Sequence, residues 1–542
     1  MLGSDLRHRL FPTGILTLES SAENRQFAPS ASESFNAKVL LWTLVVLVGF
    51  RLWLSVVLPM TGDEAYFIVW GEHPAGGYYD HPPMVGWLLA GLLEFSRAEW
   101  FLRLPVLILP LVIAACTWWI VRPYGVERAR LATLLVLLQP ANVWNVLITT
   151  DTPVILFSTL SLSAYVAALR ARTARSALAW NALAGVMLGL GFLSKYFAAL
   201  LGIAYVAHVA FVRRDAGRWS GLVLLLAASL PAPIYNLWWN SGHCWPNIMF
   251  NFLNRNVNAA LSLTNPMLYV ASLAYLLTPW LIVALVRQRQ AVYAAIATRR
   301  EASALFWLAV VPLALFALMS LGRTVGLHWI VSFIPLLAIL AAIALAESTL
   351  ARLVKWSMLF AALHIVVFVA VVLAPVQAWK HSKLYDGVVL TLRADKILEM
   401  LAPYRDDYLF AATGYSSGVT LAYHAQRPFA VFGPGSYHAR QDDFDTDWRA
   451  QDGRNVLILF KGESAVRNPD EASEVKESAR YFDRVEIKDF EIDGARFRIM
   501  LGQGFRYAAY RQEVLTSVRD RFYRIPAWLP QRGCEFCERY FP

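Results

Sequence analysis

Charge is scarce in this sequence. Only 16% of its 542 residues are Asp, Glu, Lys or Arg, where soluble globular chains carry about 25%. So few charges over that length exclude a wholly soluble globular protein. Four cysteines are too few for a disulfide-built scaffold. Neither HxH nor HExxH spacing occurs, which leaves a dedicated zinc site without support. GYSSG is too short a match to count as a nucleotide-binding glycine fingerprint. Residues 1–37 lack the apolar core of a cleavable signal peptide and read as a polar, mostly disordered cytoplasmic tail. No internal repeat is visible.

Apolar residues are abundant instead: 57% of the chain, with a mean hydropathy of +0.45. Apolar runs fall at about 39–59, 101–121, 129–148, 152–169, 177–194, 197–212, 219–239, 266–286, 304–321, 328–346 and 354–377. Each approaches the roughly 20 residues that a bilayer crossing needs. The expectation is a polytopic α-helical membrane protein with about eleven transmembrane helices over 38–379, followed by a small α/β domain over 380–542.

The net charge of +10 would suit nucleic acid, but its placement argues against that partner. The cations cluster at Arg122/Arg128/Arg130, Arg170/Arg172/Arg175, Arg213/Arg214/Arg218, Arg287/Arg289/Arg299/Arg300 and Arg352/Lys355. These are alternate connections, the pattern the positive-inside rule requires. From a cytoplasmic N-terminus, an odd number of spans then places the C-terminal part outside the inner (plasma) membrane. The polar, non-basic connections 60–100, 149–151, 195–196, 240–265 and 322–328 face the same way. Asp63, Glu64, His81, Asp151, Lys195, His243, Arg255, Arg323 and His328 thus gather on one face, and the expected chemistry goes with them.

In the C-terminal part, DYLFAAT, PFAVFG and NVLILF read as short buried strands, with SSGVTLAYHA a helix between the first two. YFDRVEIKDFEIDGARFRIM alternates around an Asp-Gly pair, a strong hairpin signal. Cys534 and Cys537 form a CEFC pair that either closes a local disulfide or stays reduced.

The densest polar cluster is TGDEAYFIVWGEHPAGGYYDHPPMVGW at 61–87. An acidic pair after an apolar helix is often no more than a polar helix end. Here it shares a loop with Gly76-Gly77, read as a tight turn, and Pro82-Pro83, read as a fixed extended entry. A framed carboxylate suits general-base work, which needs the base within hydrogen-bond reach of the attacking hydroxyl. Arg51 lies halfway along the first span, where a charge is either functional or paired structurally. His243 and His328 flank tryptophans, as interface belts also do.

GDEAYF, YYDHPPMVGW, TTDTPVILF, GLGFLSKYFAALL and YNLWWNSGHCWPNIMFN together resemble the family 39 type membrane glycosyltransferases. These are related to protein O-mannosyltransferases and to the aminoarabinose transferase of lipid A. The resemblance covers about 40–377. It implies a GT-C fold that takes a sugar from a polyprenyl-phosphate carrier at the outer membrane face and usually inverts the anomeric centre. It further implies an envelope glycan, lipid or protein as acceptor, with membrane lipid around it. Asp63 matches the family's proposed catalytic or acceptor-orienting aspartate, Asp151 its second outer-loop acid. Glu64 stands as a supporting or metal-facing carboxylate, and a divalent cation on Asp63 or Glu64 with the donor phosphate is compatible with this. Tyr79, His81, Arg103, Lys195, Tyr196, His243, Arg255, Arg323 and His328 are the substrate-binding candidates. His81 stands where the lipid A branch carries Lys. Either it is protonated, or it binds a metal, or Lys195 supplies the charge.

Two rival classes remain in view: a membrane transporter or lipid flippase, and a non-catalytic assembly subunit. Transporters place ionisable residues near the midplane in repeated halves. Here the polar residues sit at span ends on one face, which favours the enzyme.

Overall fold

The structure, a computed structural model, describes residues 31–256, 260–438, 440–461 and 469–542. Most of the expected N-terminal tail lies outside them, and from Ala31 the chain is helical to Val57. Among the described residues eight helices are long and apolar enough to cross a membrane, or nine if one bent pair counts as a span.

Three of the eleven expected spans take other forms, so a count of eleven is not reproduced. The run at 129–148 becomes a helix Val126–Leu137 and a short turn Pro140–Trp144. The run at 266–286 becomes Thr264–Leu277 and Pro279–Arg287, bent by 89°. A proline begins the second piece in both cases, and proline lacks the N–H and clashes with the carbonyl four residues back. The third, Ala198–Phe211, has 14 residues, roughly 21 Å of helix and short of a crossing.

Buried Arg51 serves packing at one of these breaks. Its guanidinium donates to the carbonyls of Asn142 at 2.8 Å and Val106 at 2.6 Å.

The two ends of the helical body differ in chemistry. Asp151 and Arg170 are the first and last residues of one 20-residue helix, about 30 Å apart. At the Arg170 end, Glu301 accepts from Arg170 at 2.8 Å and from Tyr124 at 2.9 Å, with Arg299 over the Tyr124 ring. That end holds the basic connections together. At the Asp151 end the polar connections meet the C-terminal part of the chain.

That part carries a five-stranded sheet of order β2-β1-β3-β5-β4. The strands are β1 (Leu409–Ala412), β2 (Ala430–Val431), β3 (Val456–Lys461), β4 (Phe482–Ile492) and β5 (Ala495–Phe505). β1 is parallel to both β2 and β3, while β5 is antiparallel to β3 and β4. The β4–β5 hairpin turns at Asp493 and Gly494, both at positive φ, as the primed turn of an Asp-Gly pair requires. Helix Tyr415–Ala425 joins β1 to β2.

The two parts share apolar packing. Tyr79, Cys244 and Phe250 from the membrane part lie in one buried cluster with Tyr523, Cys534 and Phe536. Cys534 is disulfide-bonded to Cys244, 290 residues away, with Cα atoms 4.3 Å apart. The local Cys534–Cys537 bridge therefore does not form, and Cys537 is a free thiol. A covalent link and a common core fix the sheet domain over the polar end of the helices.

Candidate active site

The helix Gly62–Glu72 organises the site. Thr61 caps it: the Thr61 hydroxyl accepts from the Glu64 N–H at 3.3 Å, and the Glu64 carboxylate accepts from the Thr61 N–H at 3.2 Å. This is a capping box, two orphan donors satisfied reciprocally. It turns Glu64 inward, where it is 0% exposed beside an Arg103 that is also 0% exposed. Arg103 donates to both Glu64 oxygens at 2.8 Å and to the carbonyls of Ser55 and Leu58 at 2.8 and 2.7 Å. The Ile148 N–H completes the carboxylate's shell at 3.1 Å. A buried ion pair with its hydrogen bonds filled holds three segments in register. Asp63, one residue earlier, points the other way and is exposed to a cavity, accepting from the Tyr415 hydroxyl at 3.3 Å.

The loop after this helix is held by asparagines from YNLWWNSGHCWPNIMFN. The Asn247 amide donates to the carbonyls of Tyr78, Tyr79 (3.1 Å) and His81 (3.4 Å), and Asn251 to that of Asp80 at 3.2 Å. The Tyr196 hydroxyl lies 2.7 Å from the side-chain oxygens of both Asn236 and Asn247 and ties the clamp together. Neither Gly76 nor Gly77 adopts positive φ. Their missing side chains serve close approach: a Cβ on Gly77 would lie 2.6 Å from the Trp239 ring. The clamp loop itself is strained, with Cys244 and Trp245 at φ of 66° and 54°. It is pinned by the disulfide and by Trp245 donating to the Pro530 carbonyl at 3.2 Å.

These elements enclose a cavity of about 430 Å³ between the helical body and the sheet domain. Asp63, Asp80, His81, Asp151, Lys195, Tyr196, Arg255 and His328 line it, with Tyr415 and His438 from the C-terminal part. Lys195 binds both oxygens of Asp151 at 2.8 and 3.0 Å, and Asp151 begins its helix, where the dipole favours an anion. That pair neutralises itself. Arg255 differs: among the described residues it has no carboxylate within ion-pairing distance, and it lies over the rings of Trp329 (4.7 Å) and Phe250 (5.8 Å). Burial lowers its pKa, as expected of an uncompensated cation.

Asp80 and His81 have strongly perturbed protonation. Burial, with Asp63 adding to it, pushes the Asp80 carboxyl up to about 7. The Tyr66 hydroxyl lies 3.4 Å from it and His81 Nε2 3.8 Å. Burial, aided by the charges of Lys195, Arg255 and His328, holds His81 well below its usual value. Burial thus favours the neutral imidazole over the imidazolium at His81.

The cavity thus gathers seven of the candidates read from the sequence: Asp63, His81, Asp151, Lys195, Tyr196, Arg255 and His328. Four lie elsewhere. Glu64 and Arg103 form the buried pair described above. Tyr79 is buried against Tyr523 and Phe250, its hydroxyl accepting from Asn254 at 3.2 Å. His243 stacks on Trp239 with Nδ1 2.8 Å from that residue's carbonyl. Arg323 lines a neighbouring recess together with Arg255 and Arg521, and its guanidinium lies 5.4 Å from the Trp329 ring centre. Asp80, Tyr415 and His438 were not singled out from the sequence. The signal for Asp80 was present, since it sits inside the proline-framed YYDHPP. Tyr415 and His438 carry no sequence signal, because only the tertiary fold brings them to Asp63.

Glu64 does not fit as a ligand of a divalent cation, since Arg103 engages both its oxygens, whereas the Asp63 carboxylate faces the cavity. Among the described residues no three His, Cys, Asp or Glu side chains converge as a metal centre.

The class this architecture defines is the GT-C membrane glycosyltransferase fold. Over 86% of this chain and 98% of the other, it superimposes on ArnT from Cupriavidus metallidurans bound to undecaprenyl phosphate, with a TM-score of 0.60 at 16% identity. The apo state of that protein gives 0.59. Residues 80–239 match the family model for dolichyl-phosphate-mannose-protein mannosyltransferases. Among individual proteins, the lipid A galacturonosyltransferase RgtD of Rhizobium johnstonii is 30% identical over 213 residues, 37% of this chain. That match spans 43% of the relative's length. The chain thus shares the fold of ArnT and, over residues 80–239, is similar to the protein mannosyltransferase model.

Proposed function

We propose that this chain is an integral-membrane glycosyltransferase that moves a sugar from a polyprenyl-phosphate donor to an envelope acceptor, with inversion, on the outer face of the inner membrane. The observation that carries this is one cavity lined by both an exposed carboxylate, Asp63, and a guanidinium, Arg255, that has no carboxylate within ion-pairing distance among the described residues. ArnT with its undecaprenyl phosphate and the lipid A galacturonosyltransferase support the choice of donor and acceptor class.

Asp63 takes the proton from the acceptor hydroxyl as its oxygen bonds to the anomeric carbon. The bond from that carbon to the phosphate oxygen breaks, and the electron pair leaves on the lipid phosphate. Arg255 stabilises the phosphate charge, an interaction that strengthens as the charge develops. Tyr415 orients Asp63, which keeps the base within reach of the hydroxyl. Neutral His81 and the Asp151–Lys195 pair wall the cavity.

Asp63→Asn is expected to abolish transfer, by a factor of about 10² or more, while leaving membrane insertion and polyprenyl phosphate binding intact. Mass spectrometry of envelope lipids and glycans from a deletion strain, complemented with wild type or variant, reads the product. Full product with Asp63→Asn removes Asp63 from the mechanism.

A further inference from the structure

A second cavity, of about 360 Å³, opens in the C-terminal part at the carboxyl ends of β1 and β2. Strand order reverses at β1, which has β2 on one side and β3 on the other, and such crevices are where open α/β sheets bind ligands. Thr413 and Gly414 follow β1 into it, and Gly433 and Ser436 follow β2. Its volume lies within the range of small-ligand pockets.

The lining carries more carboxyl groups than cations. Glu474 and Glu477 line it from helix Pro469–Ala479, with Asp442, which accepts from the Val431 N–H and the Thr446 hydroxyl, and Asp443. Its one arginine, Arg440, is held by both oxygens of Asp443 at 2.7 and 2.8 Å, so it offers little to an anion. Tyr415, Phe432 and Tyr481 add flat apolar surface. Carboxylates that accept hydroxyl hydrogens, set against aromatic faces, suit a polyhydroxylated ligand and repel a phosphorylated one.

Tyr415 and His438 line both this cavity and the one that holds Asp63. The Tyr415 hydroxyl that reaches Asp63 stands at the boundary. Arg255 in turn lines both the Asp63 cavity and a recess with Arg323 and Arg521. The Asp63 cavity thus shares lining residues with a basic recess and with the carboxyl-bearing one.

We propose that the carboxyl-bearing cavity is the acceptor subsite, and that the acceptor sugar it takes is neutral or amine-bearing, not phosphorylated. This rests on the glycosyl-transfer reading above. The sugar lies on the 413–436 strand ends with its accepting hydroxyl directed past Tyr415 toward Asp63.

The test uses the full chain in lipid nanodiscs, titrated with chitobiose, its de-acetylated diamine and glucose 6-phosphate, and in parallel with undecaprenyl phosphate. Chitobiose or the diamine is expected to bind, with the phosphate sugar at least ten-fold weaker. Glu477→Lys is expected to weaken the sugars at least ten-fold, and Ser478→Trp to remove their binding, with undecaprenyl phosphate binding unchanged in both. Sugar binding that survives both variants, preference for the phosphate sugar, or no sugar binding by the wild type overturns the subsite. Sugar binding that responds to the variants upholds it even if undecaprenyl phosphate fails to bind, and that failure counts against the donor reading alone.

Discussion

Two adjacent acids do opposite work in this protein. Glu64 is sealed under Arg103 and ties three segments together; Asp63 faces an open cavity. Their difference follows from helical geometry, since the third position of a capped helix reaches back to its own cap. Asp80 is the cavity carboxyl that burial pushes up to about 7. Its unfolded value is about 3.9, so between these values the folded chain keeps a proton that the unfolded chain has released. The resulting stability is fully present below about pH 4 and is lost as pH rises through 7. Asp80→Asn, which cannot ionise, is therefore expected to gain thermal stability relative to wild type on going from pH 5 to pH 8. Thermal melts in detergent at the two pH values read this, and a difference that does not change with pH contradicts it.

At the scale of elements, helix Gly62–Glu72 depends on close contact with helix Tyr415–Ala425. A Cβ on Gly62 would lie 2.6 Å from the Ser416 hydroxyl oxygen, so a side chain there displaces that hydroxyl, and a branched one presses on the helix that carries Tyr415. Gly62→Val is expected to lower transfer at least ten-fold with normal insertion. Gly62→Ala combined with Ser416→Ala, which removes the clashing oxygen, should recover most of the Gly62→Ala loss. Lack of recovery in the double variant places the defect elsewhere.

The same elements show what the sequence could and could not reveal. Hydropathy located the apolar runs, and the Asp-Gly hairpin was visible in its two residues. It did not show that Pro140 and Pro279 divide two of those runs, because a window average does not register a missing N–H. Thr61-Gly-Asp-Glu64 was legible as a capping box, and reading it would have turned Glu64 inward at once. The asparagine clamp was seen only as a motif, since amides that hold backbone carbonyls leave no periodic trace. Tyr79 and His243 stood beside motif residues, yet sequence neighbours on a loop face different partners. Tyr415, more than 300 residues from Asp63, could come only from the fold.

At the scale of the whole molecule, orientation is the open consequence of the charge pattern. The basic connections meet at one end and the cavity lies at the other. A disulfide persists in oxidising compartments, and the Cys244–Cys534 bridge stands beside the cavity. An alkaline phosphatase fusion at about residue 385 is expected to be active on intact cells, following the positive-inside rule. A well-expressed but inactive fusion would put the cavity on the cytoplasmic side.

The Cys244–Cys534 bridge also sets a time order on biogenesis. Cys244 is made with the seventh expected span, whereas Cys534 emerges from the ribosome only after 289 further residues. Until then the clamp loop, with its left-handed Cys244 and Trp245, has no covalent anchor and no Pro530 carbonyl to meet. A chain cut short before Cys534 would carry every residue of the cavity and still lack the fastening that holds Asn247 on the Asp80 loop. The bond thus closes only after every candidate membrane segment has been made.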